Sequence, residues 1–150
     1  MGKRIRTEII HYGVDSKIHY GSISDPIYKN STLIFQNYKS FLNAKKDRFN
    51  LPYYGRISTY TTRRFGQLAC KLYKAKNSIV TSSGLSAITI TLKALLRKDD
   101  EILISENCYE PVYNFATQEL KKFGIKSHFF SNYKKSADKL INVKTKILYI

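Results

Sequence analysis

The sequence predicts an α/β fold: an extended N-terminal arm, followed by the first part of a mostly parallel sheet with helices on both faces. Three observations predict it. Up to about residue 60 the chain is polar and aromatic with weak periodicity, and its prolines disfavour helix at the residues before them. From about residue 61, short apolar runs alternate with segments whose apolar residues recur at helical spacing, the pattern of parallel strands joined by helical crossovers. A serine- and glycine-rich turn joins the first of these strands to the helix after it.

The arm, residues 1–60, contains Asp25-Pro26-Ile27-Tyr28 and Leu51-Pro52-Tyr53, and a segment of this kind needs a surface to lie on. Residues 61–150 read as one partial domain. A helix over 62–74 carries Phe65, Leu68, Ala69, Leu72 and Tyr73, and the β-branched run Ile79-Val80-Thr81 makes a strand over 78–81. Ile88, Ile90, Leu92, Leu95 and Leu96 mark a helix over 86–97 that ends in Arg97-Lys98. Strands over 101–105, 126–130 and 144–150 then alternate with helices over 111–123 and 137–141. The last run, Lys146-Ile147-Leu148-Tyr149-Ile150, has the composition of a strand buried on both faces, and the sequence ends inside it. The expectation is an N-terminal portion of a longer protein.

The turn Ser82-Ser83-Gly84-Leu85-Ser86-Ala87-Ile88 places backbone N–H groups at a helix N-terminus, where unpaired donors and the helix dipole favour an anion such as a phosphate. The same residues also make an ordinary serine cap and a tight turn, so by itself this turn leaves both readings open. In open α/β sheets ligands sit beyond the carboxyl ends of the strands, and Asn107-Cys108-Tyr109 follows the second strand there. Tyr109 could offer a ring face to an aromatic ligand and a hydroxyl as a proton handle; it is also one of 12 tyrosines, most of which simply pack.

The formal net charge of +15 raises a nucleic-acid-binding reading. The charges are dispersed, however: Lys3-Arg4-Ile5-Arg6, Lys45-Lys46-Asp47-Arg48, Arg63-Arg64 and Lys134-Lys135 fall in different elements, and no helix-turn-helix, zinc-finger or RNA-recognition signature accompanies them. A solvated basic surface is the better reading, with no nucleic-acid partner. Cys70 and Cys108 lie far apart with no C-x-x-C pair and no histidine at ligand spacing, so neither a metal site nor a disulfide framework is expected. Met1-Gly2-Lys3-Arg4 is not followed by an apolar signal segment and nothing approaches a membrane span, which makes a cytoplasmic location the expectation.

Taken together, these segments resemble the Cys/Met-metabolism family of pyridoxal-phosphate enzymes, of PLP-transferase fold type I, and most closely its cystathionine β-lyase branch. Thr7-Glu8-Ile9-Ile10-His11-Tyr12-Gly13 and the stretch Gly21 to Thr32, with its Pro26-Ile27-Tyr28 and Ser31-Thr32, look like the family's arm. Tyr54-Gly55-Arg56 looks like its Tyr-x-Arg, residues 82–88 match its phosphate turn, and Asn107-Cys108-Tyr109-Glu110-Pro111 matches the segment whose tyrosine stacks on the pyridine ring. Lys121-Lys122-Phe123-Gly124-Ile125 and Lys144-Thr145-Lys146-Ile147 follow in family order. Gly55 and Glu110-Pro111 favour the β-lyase branch over γ-acting relatives. Two positions depart from the pattern: Ser58 stands where a glycine is usual after the Tyr-x-Arg turn, and Lys74-Ala75 replaces an acidic-glycine helix ending.

The resemblance implies pyridoxal 5'-phosphate as cofactor. Gly84 and Leu85 would hold its phosphate through backbone N–H groups, and Tyr54 and Arg56 would reach it from a neighbouring subunit of a homo-oligomer. Tyr109 would hold the ring and serve in catalysis. The implied reaction is β-elimination from an amino-acid thioether, releasing a thiol amino acid, pyruvate and ammonia. The lysine that carries the cofactor and the acidic partner of the pyridine nitrogen lie, in the family, beyond Ile150, so these 150 residues alone are expected to be inactive. The competing expectation is a non-catalytic remnant or interaction module of the same fold.

Overall fold

The computed structural model describes residues 5–12, 17–131 and 137–150. Lys3-Arg4, Gly13 and Lys134-Lys135 lie outside the described residues. Contacts divide the chain into two compact units, residues 1–80 and 81–150.

In the first unit the arm is not extended throughout. It contains α1 (Ile5–Ile10) and α2 (Tyr38–Lys46), and α3 (Tyr60–Tyr73) follows. Pro26 and Pro52 restrict only their own neighbourhoods, and between them Asn37 starts α2 by accepting a hydrogen bond from the Ser40 N–H at 2.8 Å. Phe41 then packs its ring against Phe35, Tyr38 and Tyr53, with centroids 5.5, 6.1 and 5.8 Å away. A reciprocal cap starts α3: the Thr62 N–H donates to Thr59 Oγ1, while the Thr59 N–H donates to Thr62 Oγ1.

α3 is the rail on which the arm lies. Arg64 donates from Nε to Asp25 Oδ2 at 2.9 Å and from Nη2 to the Tyr12 carbonyl at 3.1 Å, with its guanidinium 5.3 Å from the Tyr12 ring centroid. Lys71 pairs with Glu8 of α1 at 3.1 Å. The Tyr28 N–H donates to Thr61 Oγ1 at 2.8 Å, and beside it Tyr60 meets both His19 and Tyr28 edge-on. α3 ends at Lys74 in the left-handed conformation (φ 53°), with the Ala75 N–H closing back on the Cys70 carbonyl. No strand is formed at 78–81. Ile79 is 83% exposed there, and a β-branched run becomes a strand only where a neighbouring ladder receives its backbone groups.

The second unit begins with α4 (Gly84–Leu95) and builds a parallel sheet from β1 (Glu101–Ser105), β2 (Lys126–Phe130) and β3 (Thr145–Tyr149) in the order β2-β1-β3. α5 (Glu110–Asn114) and its π-helical continuation Phe115–Leu120 connect β1 to β2, and the short α6 (Asp138–Leu140) precedes β3. In the widened turns of the π segment the Ala116 carbonyl accepts from Ser127 Oγ on β2 at 3.2 Å, which ties the connection to the sheet.

β1 lies between two apolar layers, and Ile102, Leu103 and Ile104 are fully buried. Ile102 and Ile104 pack with Leu92 of α4, with Leu96 just after it, and with Ala116, Leu120 and Ile125; Leu103 packs on the opposite face with Phe130 and Ala137. Each of the buried isoleucine, leucine and phenylalanine side chains among these contributes about 1.5–3 kcal/mol on burial. Glu101 opens β1 opposite Thr145, yet Ile102 faces Ile147, so one extra residue sits in β3 as a bulge. That residue is Lys146, which is exposed, while Ile147 and Tyr149 join the face of Ile104 and Leu148 joins that of Leu103.

At the amino end of the sheet Glu101 is buried. Its Oε2 accepts from Asn142 Nδ2 at 2.8 Å and lies 3.0 Å from His128 Nε2. The Asn142 amide, aided by His128 and Lys126, holds this carboxyl below the ordinary carboxylate range, and desolvation opposes them.

Candidate functional site

The turn before α4 is built by its serines. Ser83 Oγ accepts from the Ser86 N–H at 3.0 Å and shares a hydrogen bond with Ser86 Oγ at 2.9 Å, and Thr81 Oγ1 donates to the Ser83 carbonyl at 2.9 Å. Ser83 is therefore a working cap, and the capping reading of this turn holds. The cap leaves the next two donors unused: among the described residues, no acceptor of the chain takes the N–H of Gly84 or Leu85. α4 has no acidic residue in its first turn to compete for an anion. A Cβ built on Gly84 would meet nothing within 4 Å, and its φ is not in the left-handed region, so neither packing nor backbone conformation requires glycine there. What remains is a backbone surface open to close approach.

The second loop leaves β1 at its carboxyl end. β1 is where the strand order reverses, since β2 lies on one side and β3 on the other, and crevices of open α/β sheets form at such switch points. The Cys108 N–H donates to the Ser105 carbonyl, and the Tyr109 carbonyl accepts from Val112 and Tyr113 to start α5. Tyr109 stands at the helix start with its side chain exposed, and α5 packs against α4. Gly84, Leu85 and Tyr109 thus belong to one compact unit.

Tyr54 and Arg56 belong to the other unit. The Gly55 N–H donates to the Ser31 carbonyl at 2.7 Å, and a Cβ on Gly55 would overlap the Asn30 carbonyl, so this position admits glycine alone. The turn closes through the N–H groups of Ile57 and Ser58 onto the Tyr54 carbonyl, at 2.9 and 3.2 Å. The Arg56 guanidinium lies 5.9 Å from the Tyr54 ring centroid. Sequence reasoning missed Arg63, whose hydrogen bond to Ser58 requires the fold of the arm against α3.

Comparison with known proteins decides the family. The model of the Cys/Met metabolism PLP-dependent enzymes matches residues 6–150. The chain belongs to the Cys/Met metabolism PLP-dependent enzyme family. Pyridoxal phosphate is that family's cofactor.

Among its relatives, the cystathionine beta-lyase MetC of Escherichia coli is 26% identical over 85% of this chain and 33% of its own length. An L-methionine gamma-lyase of Pseudomonas putida is 29% identical over 80% of this chain and 30% of its own. A Campylobacter jejuni crystal structure described as an O-acetylhomoserine (thiol)-lyase, which holds N'-pyridoxyl-lysine-5'-monophosphate, superposes with a TM-score of 0.84 at 24% identity, over 99% of this chain and 37% of that one. The chain therefore spans about a third of the length of the relatives it matches. Among the described residues no helix is long and apolar enough to cross a membrane.

Proposed function

We propose that this chain supplies the phosphate-binding part of a pyridoxal-phosphate-dependent carbon–sulfur lyase of the cystathionine β-lyase kind. The observation that carries the reading is the start of α4: two unused N–H donors, no competing carboxylate and a glycine facing open space. These features fit a phosphate monoester.

In this reading the Gly84 and Leu85 N–H groups bind the phosphate oxygens. Arg56, with Tyr54 beside it, closes the phosphate from a neighbouring subunit; charge-assisted hydrogen bonds from a guanidinium hold such an oxyanion more firmly than neutral donors do. Tyr109 covers the ring face and excludes water there, and its Oη is the group that holds or moves a proton during elimination. The cofactor, when bound, is the electron sink for the negative charge formed at the substrate Cα. The overall reaction is β-elimination from an amino-acid thioether such as cystathionine. With one water consumed, it yields a thiol amino acid, pyruvate and ammonia.

The test uses pyridoxine 5'-phosphate, which lacks the aldehyde that would react with the many lysines of this chain. Full-length chain is titrated with it and with pyridoxine, and phosphorus NMR line broadening follows the phosphate. Binding of the phosphorylated compound, displaced by inorganic phosphate and absent for pyridoxine, is the expected result. Equal binding of both compounds, or of neither, rejects the site. Pyruvate release from cystathionine by the protein purified from its source tests the reaction separately.

A further inference from the structure

The Tyr54–Arg56 turn is exposed, and Arg56 gains affinity for a phosphate only to the extent that its backbone is already fixed. Three contacts fix it. Gly55 is pinned against the Asn30–Ser31 backbone, and Ile57 and Ser58 both donate to the Tyr54 carbonyl. The third comes from α3: Arg63 donates from Nη1 to Ser58 Oγ at 3.2 Å and from both Nη1 and Nη2 to the Phe49 carbonyl, each at 3.2 Å.

This arginine is oddly placed for any simpler role. It lies in the first turn of α3, where the helix dipole disfavours a cation, and among the described residues it has no carboxylate partner. It is half-buried, as is Ser58. Its guanidinium instead spans the loop before the turn, at Phe49, and the residue after it, at Ser58. The capping box of Thr59 and Thr62 holds the helix end from which it reaches. A glycine at 58 would leave the guanidinium without this acceptor.

We propose that Ser58 and Arg63 form a brace that positions the Tyr54–Arg56 turn for a phosphate monoester. Both are positioning residues, and the proposal rests on the reading that Tyr54 and Arg56 clasp the cofactor phosphate. It accounts for a serine where the family resemblance leads one to expect glycine.

The experiment compares wild-type full chain with Ser58→Gly, Ser58→Thr, Arg63→Gln and Arg56→Gln. Amide exchange is read at Ile57 against the amides of residues 64–70 in α3, and binding of pyridoxine 5'-phosphate is measured on the same samples. Ser58→Gly and Arg63→Gln are expected to speed exchange at Ile57 about five- to tenfold, the size of one lost hydrogen bond, and to leave the α3 amides unchanged. Phosphate binding weakens several-fold in both, and Ser58→Thr, which keeps the hydroxyl, retains wild-type values. Unchanged exchange at Ile57 in Ser58→Gly overturns the brace, whatever Arg63→Gln does to folding. Faster exchange combined with wild-type binding by Arg56→Gln overturns instead the phosphate role of the turn, and with it the proposal.

Discussion

Replacing Gly84 by alanine separates a glycine kept for folding from one kept for a ligand. The new Cβ enters open space, and the backbone is one that alanine adopts without strain. Restricting the unfolded chain should therefore stabilise the protein by about 0.4–1 kcal/mol, a two- to fivefold rise in the folded-to-unfolded ratio. If the space is where a phosphate approaches the Gly84 and Leu85 N–H groups, the methyl holds it off, and affinity should fall at least about tenfold, or roughly 1.4 kcal/mol. Stability and binding thus move in opposite directions. Urea unfolding followed by circular dichroism gives the first quantity, and titration with pyridoxine 5'-phosphate gives the second. A lower unfolding midpoint would refute the structural argument, because glycine would then be serving the turn; undiminished phosphate affinity in a stable variant would refute the cradle.

Two further outcomes follow from the core and from the sheet's amino end. Leu120→Ala, at a fully buried position that touches the Ile102–Ile104 face, should destabilise by about 2–5 kcal/mol, and a loss under about 1 kcal/mol on denaturant unfolding would show that this layer is not packed as described. Glu101 is held below the ordinary carboxylate range in the folded state, so its stabilisation is fully present above that range and is lost as the pH falls through its lowered folded value. Asn142→Ala removes the largest cause of that lowering, so it should reduce stability at neutral pH and shrink the further loss on acidification; an unfolding free energy that falls between neutral and acid pH by as much as in wild type would contradict it.

The alternation of elements in residues 81–150 was legible because the short apolar runs there are strands of a sheet covered on both faces, as the full burial of Ile102, Leu103 and Ile104 shows. The arm was less so. α2 is started by one side-chain cap at Asn37 and held by the ring of Phe41 against Tyr53, a contact between distant residues that no local pattern announces. The run at 78–81 misled in the other direction, since strand propensity is the capacity to pair and a pairing partner is not encoded in the run itself. At the site, the serines and glycine of residues 82–86 were read correctly as a helix start, but their sequence could not tell a cap from a cradle. The geometry shows a cap with two donors left over. Likewise Arg63 read as one more surface cation until the fold brought Ser58 and the Phe49 carbonyl to its guanidinium.

The bulge at Lys146 acts as a slip joint between the two ends of the sheet. In straight register from the Glu101–Thr145 pair, Lys146 would stand opposite Ile102 on the buried face, and every later residue of β3 would change sides. With the bulge, the tight turn at Asn142 and Thr145 sets where the strand begins, and the apolar layers set where Ile147, Leu148 and Tyr149 fall. The change of register between that turn and the apolar layers is thus taken up at the base of the sheet. The carboxyl end of the sheet, from which the loop to Tyr109 departs, keeps regular pairing, with Ile104 opposite Tyr149 and Ser105 opposite Phe130.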